Sequence, residues 1–222
     1  TPYLNPKFVE YISMSKEEQE KLELIPEVYE VNSFNKTVEA TLPSSYDLRD
    51  VSGKNFITPL KNQKTLGICW AFASAEQVES YLLATSNQTY SSSSKVLSPR
   101  QIDYSTSTDG IKNYDNDFGC HTLGNGGNYF YSSSIMTAGL ALTSEDFIPF
   151  STSTDTKNLH EVFNYNQSLF EVNETTSFPP AENINASYFN TYINLIKQYI
   201  MTYGGAYVGT EAPDHSCASL NN

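Results

Sequence analysis

Between Trp70 and Leu82 the apolar side chains recur at close to helical spacing: Trp70, Ala73, Val78, Tyr81 and Leu82, with Glu76 and Glu79 between them. A period of about 3.6 residues predicts a long helix running to about Thr85. A loop carrying Gly67 precedes it, so Cys69 falls at or just before the first turn. A second amphipathic helix is predicted over Ser187–Tyr203, where Ile193, Ile196 and Ile200 share one face with Tyr192 and Tyr199 nearby, and Gly204-Gly205 end it. Ser98 reads as an N-cap, with Pro99 at the first helical position and Gln101 closing a capping box. Gly126-Gly127 start a shorter helix through Met136, stopped by Gly139. Near the beginning, Ser15-Lys16-Glu17-Glu18 opens a short charged helix that ends at Pro26, and Val28, Tyr29 and Val31 follow as an extended segment.

Polar stretches separate these elements. Asp47 to Leu60 reads as loop and short strand with a turn at Gly53-Lys54-Asn55, and Ser91 to Ser94 as an exposed loop. Ser105 to Gly119 is a polar loop, and Ser151 to Ala186 is a long polar stretch with Phe163, Phe170 and Phe178 scattered through it. Ala206-Tyr207-Val208 is expected to enter a strand.

The sequence has 222 residues, 39% of them hydrophobic and 13% aromatic, enough to bury a sizeable core in one or two domains. No apolar run approaches the ~18 residues of a membrane span. The formal net charge of −12 would repel a phosphate backbone, so nucleic acid is not expected as a partner. Asn113, Asp115 and Asp117 do not have the glycine or the distal glutamate of a calcium loop, and Cys120-His121 has no second ligand pair at zinc spacing. No metal or other cofactor is expected. The N-x-[ST] sites at Asn35, Asn87, Asn166, Asn173 and Asn185 carry no claim in a chain so rich in Asn, Ser and Thr.

The sharpest chemical signal is Cys69. At a helix start it meets unpaired N–H groups and the positive end of the helix dipole, an environment that favours a thiolate nucleophile. Gln63, six residues earlier, brings a side-chain N–H donor of the kind a developing oxyanion needs. Gln63 followed by Gly67-Ile68-Cys69-Trp70-Ala71-Phe72-Ala73 resembles the nucleophile segment of the papain-like cysteine peptidases. Further segments resemble the same family in its own order: Leu42-Pro43-Ser44-Ser45-Tyr46-Asp47-Leu48-Arg49-Asp50, Leu97 to Asp103, Gly124-Asn125-Gly126-Gly127, Thr143 to Phe150, and Ile196-Lys197 through Gly204-Gly205-Ala206-Tyr207-Val208.

The resemblance implies an α+β papain-like two-lobe fold, with a helical left lobe on the Cys69 helix and an antiparallel β-barrel right lobe that is incomplete in this chain. Residues 42–222 are then the peptidase domain with its C-terminal part missing, and residues 1–41 an N-terminal extension or pro-segment remnant. It implies hydrolysis of peptide bonds, with Cys69 as nucleophile, Gln63 as oxyanion donor, and Gly126 and Gly127 aligning the substrate backbone. With Cys69 so used, Cys120 and Cys217 leave room for at most one disulfide. Leu66 and Tyr104 stand at two positions usually held by cysteine in plant and animal members, so the chain looks more like the bacterial branch. Low cysteine usage does not exclude secretion, and a secreted or cell-surface location is the expectation.

The family's base is a histidine that opens a strand. His121 lies in the glycine loop and His160 in the polar stretch, neither in strand context. Asp214-His215-Ser216-Cys217-Ala218-Ser219-Leu220 loosely resembles the expected segment, but it follows Gly205 by only about ten residues, and what comes after His215 is a poor barrel strand. Two readings stand: His215 is the base, or a histidine beyond Asn222 is. The implied partners are a peptide or protein substrate and, on the second reading, a second chain carrying the remaining catalytic residues. The alternative of another class is a papain-like interaction or structural module that has lost catalysis.

Overall fold

In a computed structural model, residues 13–15, 41–107, 122–140, 142–152 and 169–209 are described. The helical pattern after Cys69 becomes α1, Cys69–Thr85, which buries Trp70, Ala71, Phe72, Ser74, Ala75, Glu79, Ser80 and Leu83. Helix α2, Pro99–Thr106, is short and buried along its whole length. Ser98 caps it by accepting from the Gln101 N–H at 3.1 Å, with Pro99 at the first position as expected. The capping box does not close. The Gln101 side chain accepts instead from the Thr143 N–H at 2.9 Å, and the Ser98 N–H donates to the Thr143 carbonyl at 3.0 Å. A segment 42 residues away thus takes both bonds, because α2 is buried and Thr143 needs partners there.

Helix α3, Tyr129–Thr137, begins later than its glycines suggested. Asn128 is the cap, accepting from the N–H groups of Phe130 and Tyr131, and Gly126-Gly127 lie in the loop before it. Helices α1 and α3 meet through an edge-on contact of Trp70 with Tyr131 and a buried Ser74–Ser132 hydrogen bond of 2.7 Å. Ile68, Trp70, Ala71, Phe72, Ala75, Leu97, Ile102, Met136, Leu140 and Leu142 form one apolar core, with Phe150 packing edge-on against Phe72.

After two short 3₁₀ turns, Ala181–Asn183 and Ala186–Tyr188, helix α4 spans Phe189–Tyr203. Its most buried residues are Tyr192 and Leu195, while Ile193, Ile196 and Ile200 are half-buried, so the expected isoleucine face is not the deepest one. The chain divides into two compact units, one of Thr1–Thr37 with Phe178–Ile193, the other of Val38–Ser177 with Asn194–Asn222. In the first, the Tyr192 hydroxyl donates to the Pro179 carbonyl at 2.7 Å and its ring packs edge-on against Phe178. The second holds the core and α1 to α3.

Among the described residues β structure amounts to isolated antiparallel bridges, Val51–Lys54, Leu97–Ser144 and Leu142–Phe170. The first closes the turn read at Gly53, where Ser52 and Gly53 both take positive φ. Ala206-Tyr207-Val208 carries no strand pairing, contrary to expectation, because no described neighbour offers a ladder to it. The helix after Ser15, the extended segment at Val28 to Val31, and the polar loop at Asn113 to Asp117 lie outside the described residues.

Candidate active site

The nucleophile segment is built from its buried side outward. Ile68 is fully buried just ahead of α1 and anchors the turn, and its carbonyl accepts from Ala71 and Phe72. Cys69, the first residue of α1, is exposed. Upstream, Asn62 accepts from the Lys64 N–H at 2.8 Å, and the Gln63 carbonyl accepts from Leu66 at 3.2 Å. This tight loop forces Lys64 to φ 55°, a left-handed conformation that costs a side-chain-bearing residue about 1–2 kcal/mol. Gln63 is half-buried on that loop. Neither the Gln63 side-chain amide nor the Cys69 N–H donates to a described residue, so both donors are free for a ligand oxygen.

The loop is moored to the middle of α1. Glu79, 2% exposed, accepts from the Thr58 hydroxyl, from Lys61 Nζ at 2.8 Å and from the Leu97 N–H at 2.6 Å. Lys61 stands two residues before Gln63, so the buried ion pair fixes the entry to the loop that carries Gln63.

The glycine loop lies against the nucleophile loop. Gly67 donates to the Gly124 carbonyl at 2.8 Å, and Trp70 Nε1 to the Asn125 carbonyl at 3.5 Å. A methyl group built on Gly67 would sit 3.5 Å from the Gly126 nitrogen, so Gly126 borders the turn that presents Cys69. The two glycines of the sequence motif then differ. Gly126 faces open space, whereas a Cβ on Gly127 would come within 2.5 Å of the Trp70 indole.

Two tyrosines that carried no site assignment in the sequence pack together here, and one of them, Tyr207, interacts electrostatically with Cys69. Tyr129 opens α3 and Tyr207 follows Gly205, with ring centroids 5.8 Å apart. Burial pushes the Tyr207 pKa up, with Cys69 and Tyr129 adding to the shift. The signal that was available is positional: Tyr129 is three residues past Gly126, and Tyr207 lies in the segment after α4 that the motif order had already singled out.

The structure therefore sets Gly126 against the Gly67 turn that leads into Cys69, with Gly127 packed on Trp70, and leaves Gln63 half-buried on the loop before that turn. His121, His160 and His215, and Cys120 and Cys217, lie outside the described residues. Among the described residues no cluster of three or more His, Cys, Asp or Glu could hold a metal ion, and no helix is long and apolar enough to cross a membrane.

Known proteins bear on the same stretch. The family model described as papain family cysteine protease matches residues 42–215. The probable cysteine protease RD19B of Arabidopsis thaliana is 29% identical over 167 residues, covering 68% of this chain. The chain spans 42% of that relative's length. With the family match running over most of its length, through the Cys69 helix and the glycine loop, the chain belongs to the papain family of cysteine proteases, whose fold is the α+β papain-like one.

Proposed function

We propose that this chain carries the nucleophile and oxyanion donors of an enzyme that hydrolyses peptide bonds. The observation that carries the reading is an exposed Cys69 at the first residue of α1, with its own N–H and, six residues earlier in the chain, the Gln63 amide not engaged by any described residue. A peptide lies along Gly126, where the missing side chain leaves open space for a backbone to approach. Cys69 Sγ attacks the carbonyl carbon, and the carbonyl oxygen takes the charge between the Cys69 N–H and the Gln63 amide. A histidine accepts the thiol proton and returns it to the leaving amine. Water then cleaves the thioester, restoring Cys69 and releasing the acid. His215 is the candidate base within this sequence, and the family match includes it. Tyr129 and Tyr207 line the approach and would meet the substrate's side chains.

The test is labelling with an epoxysuccinyl dipeptide, followed by intact-mass measurement and peptide mapping. One adduct on Cys69, absent from Cys69→Ser, is the expected result. A chain left unlabelled, or labelled no faster than by a simple alkylating agent of similar reactivity, would overturn the reading.

A further inference from the structure

The glycine loop at 122–128 has no helix or strand ladder of its own, yet it must stand at a fixed place beside Cys69. Its deepest described attachment is ionic. The Gly124 N–H donates to both oxygens of Asp103, at 3.2 Å each. Asp103 is fully buried on α2, and Arg100, 2% exposed, donates to it at 3.0 Å. The same Gly124 accepts from Gly67 through its carbonyl, at 2.8 Å. Gly124 has φ +82°, and a Cβ there would press on the Leu66 side chain at 3.1 Å. Among the described residues no disulfide joins them.

A buried ion pair is an expensive way to fill a core. Apolar residues of the same volume often stabilise as well or better, so such a pair is better explained by what it specifies than by stability. Here the carboxylate supplies acceptors to one buried N–H, and that N–H belongs to the residue that ties the substrate loop to the nucleophile loop. We propose that Asp103, backed by Arg100, is the positioning residue that holds Gly126 in register with Cys69, acting through Gly124. The inference rests on the peptidase reading above, since it concerns the docking of a peptide.

The test compares two reagents on the full chain. Iodoacetamide needs only an accessible Cys69, whereas an epoxysuccinyl dipeptide also needs the glycine loop. In Asp103→Asn the iodoacetamide rate stays within about twofold of wild type and the dipeptide rate falls about tenfold, the scale of one lost hydrogen bond to a charged group. Equal losses for both reagents would mean a general structural role, and two unchanged rates no role; either overturns the inference. Should Asp103→Asn not fold, Arg100→Lys repeats the comparison: a loss of about threefold confined to the dipeptide supports it, and equal rates overturn it. A wild-type chain with no preference for the dipeptide overturns the peptidase reading and this inference with it. A preference that the variants keep overturns the inference alone.

Discussion

Two adjacent glycines answer to different demands. Trp70 is 1% exposed and cannot retreat from a methyl group placed 2.5 Å from its ring at Gly127. Gly127→Ala should therefore cost about 1–3 kcal/mol, read as a lower melting temperature. Gly126→Ala meets nothing, so its stability should stay within about 0.5 kcal/mol of wild type while dipeptide labelling of Cys69 slows. A melting temperature lowered equally in both, or unchanged labelling in Gly126→Ala, would contradict this division. The glycine pair was visible in the sequence as a motif, but its reasons were not. Gly127 is small because of an indole 57 residues earlier, and no local pattern carries that fact.

At the level of elements, α1 was legible as a helix from about Cys69 to Thr85, but its inward face was not: of Trp70, Ala73, Val78, Tyr81 and Leu82 only Trp70 is buried, and Tyr81 is exposed. Nor were its two acids. Both fall between apolar positions, yet Glu79 is buried among donors from two other segments and Glu76 is only half-covered. Burial pushes the Glu76 carboxyl pKa up; Lys61 opposes this and Glu79 adds to it. A raised carboxyl favours the fold while protonated, and that contribution is lost as pH rises through its folded value. Glu76→Gln should thus raise the melting temperature at neutral pH, with the gain vanishing well below the ordinary value of 4.5. A gain that persists in acid would point to packing rather than charge. The capping residues of α2 illustrate the same limit: Ser98 and Pro99 act locally and were readable, while the Gln101 side chain turned to Thr143, a contact set by burial. In α4 the isoleucines mark an apolar side, but depth is decided by neighbours, which favour Tyr192 and Leu195.

The second unit is closed by a return of the chain. After α4, Gly205 donates to the Ser80 hydroxyl at 2.9 Å, and Tyr46 donates to the Met201 carbonyl at 3.4 Å. Tyr81 and Tyr203 stack beside this crossing, with ring centroids 6.3 Å apart. Gly204 has φ +89° and lies so close to α1 that a Cβ would be 2.7 Å from the Ser80 carbonyl. Read from sequence, Gly204-Gly205 was a helix stop; in the structure it is also the crossing that carries Tyr207 to the Cys69 end of the molecule. Gly204→Ala combines a strained backbone with a clash against main chain, and should lower stability by more than about 2 kcal/mol in urea unfolding while slowing dipeptide labelling. A variant as stable as wild type would mean that the crossing is loose. The helical half of the fold was legible because helices announce themselves by period and caps. Strand pairing depends on partners distant in sequence, and the segment after Gly205 carried no sign of whether it had one.

The mooring at Glu79 also governs the order in which the protein takes shape. Its donors come from Thr58 and Lys61 on one side of α1 and from Leu97 on the other. A chain with α1 docked but Leu97 still loose would keep a carboxylate in a dry site short of one donor, at a cost of about 1.5–3 kcal/mol. Leu97 follows α1 in the chain, so Glu79 gains its full set of buried partners, and α1 its final seat, only once the segment from Thr58 to Leu97 has closed.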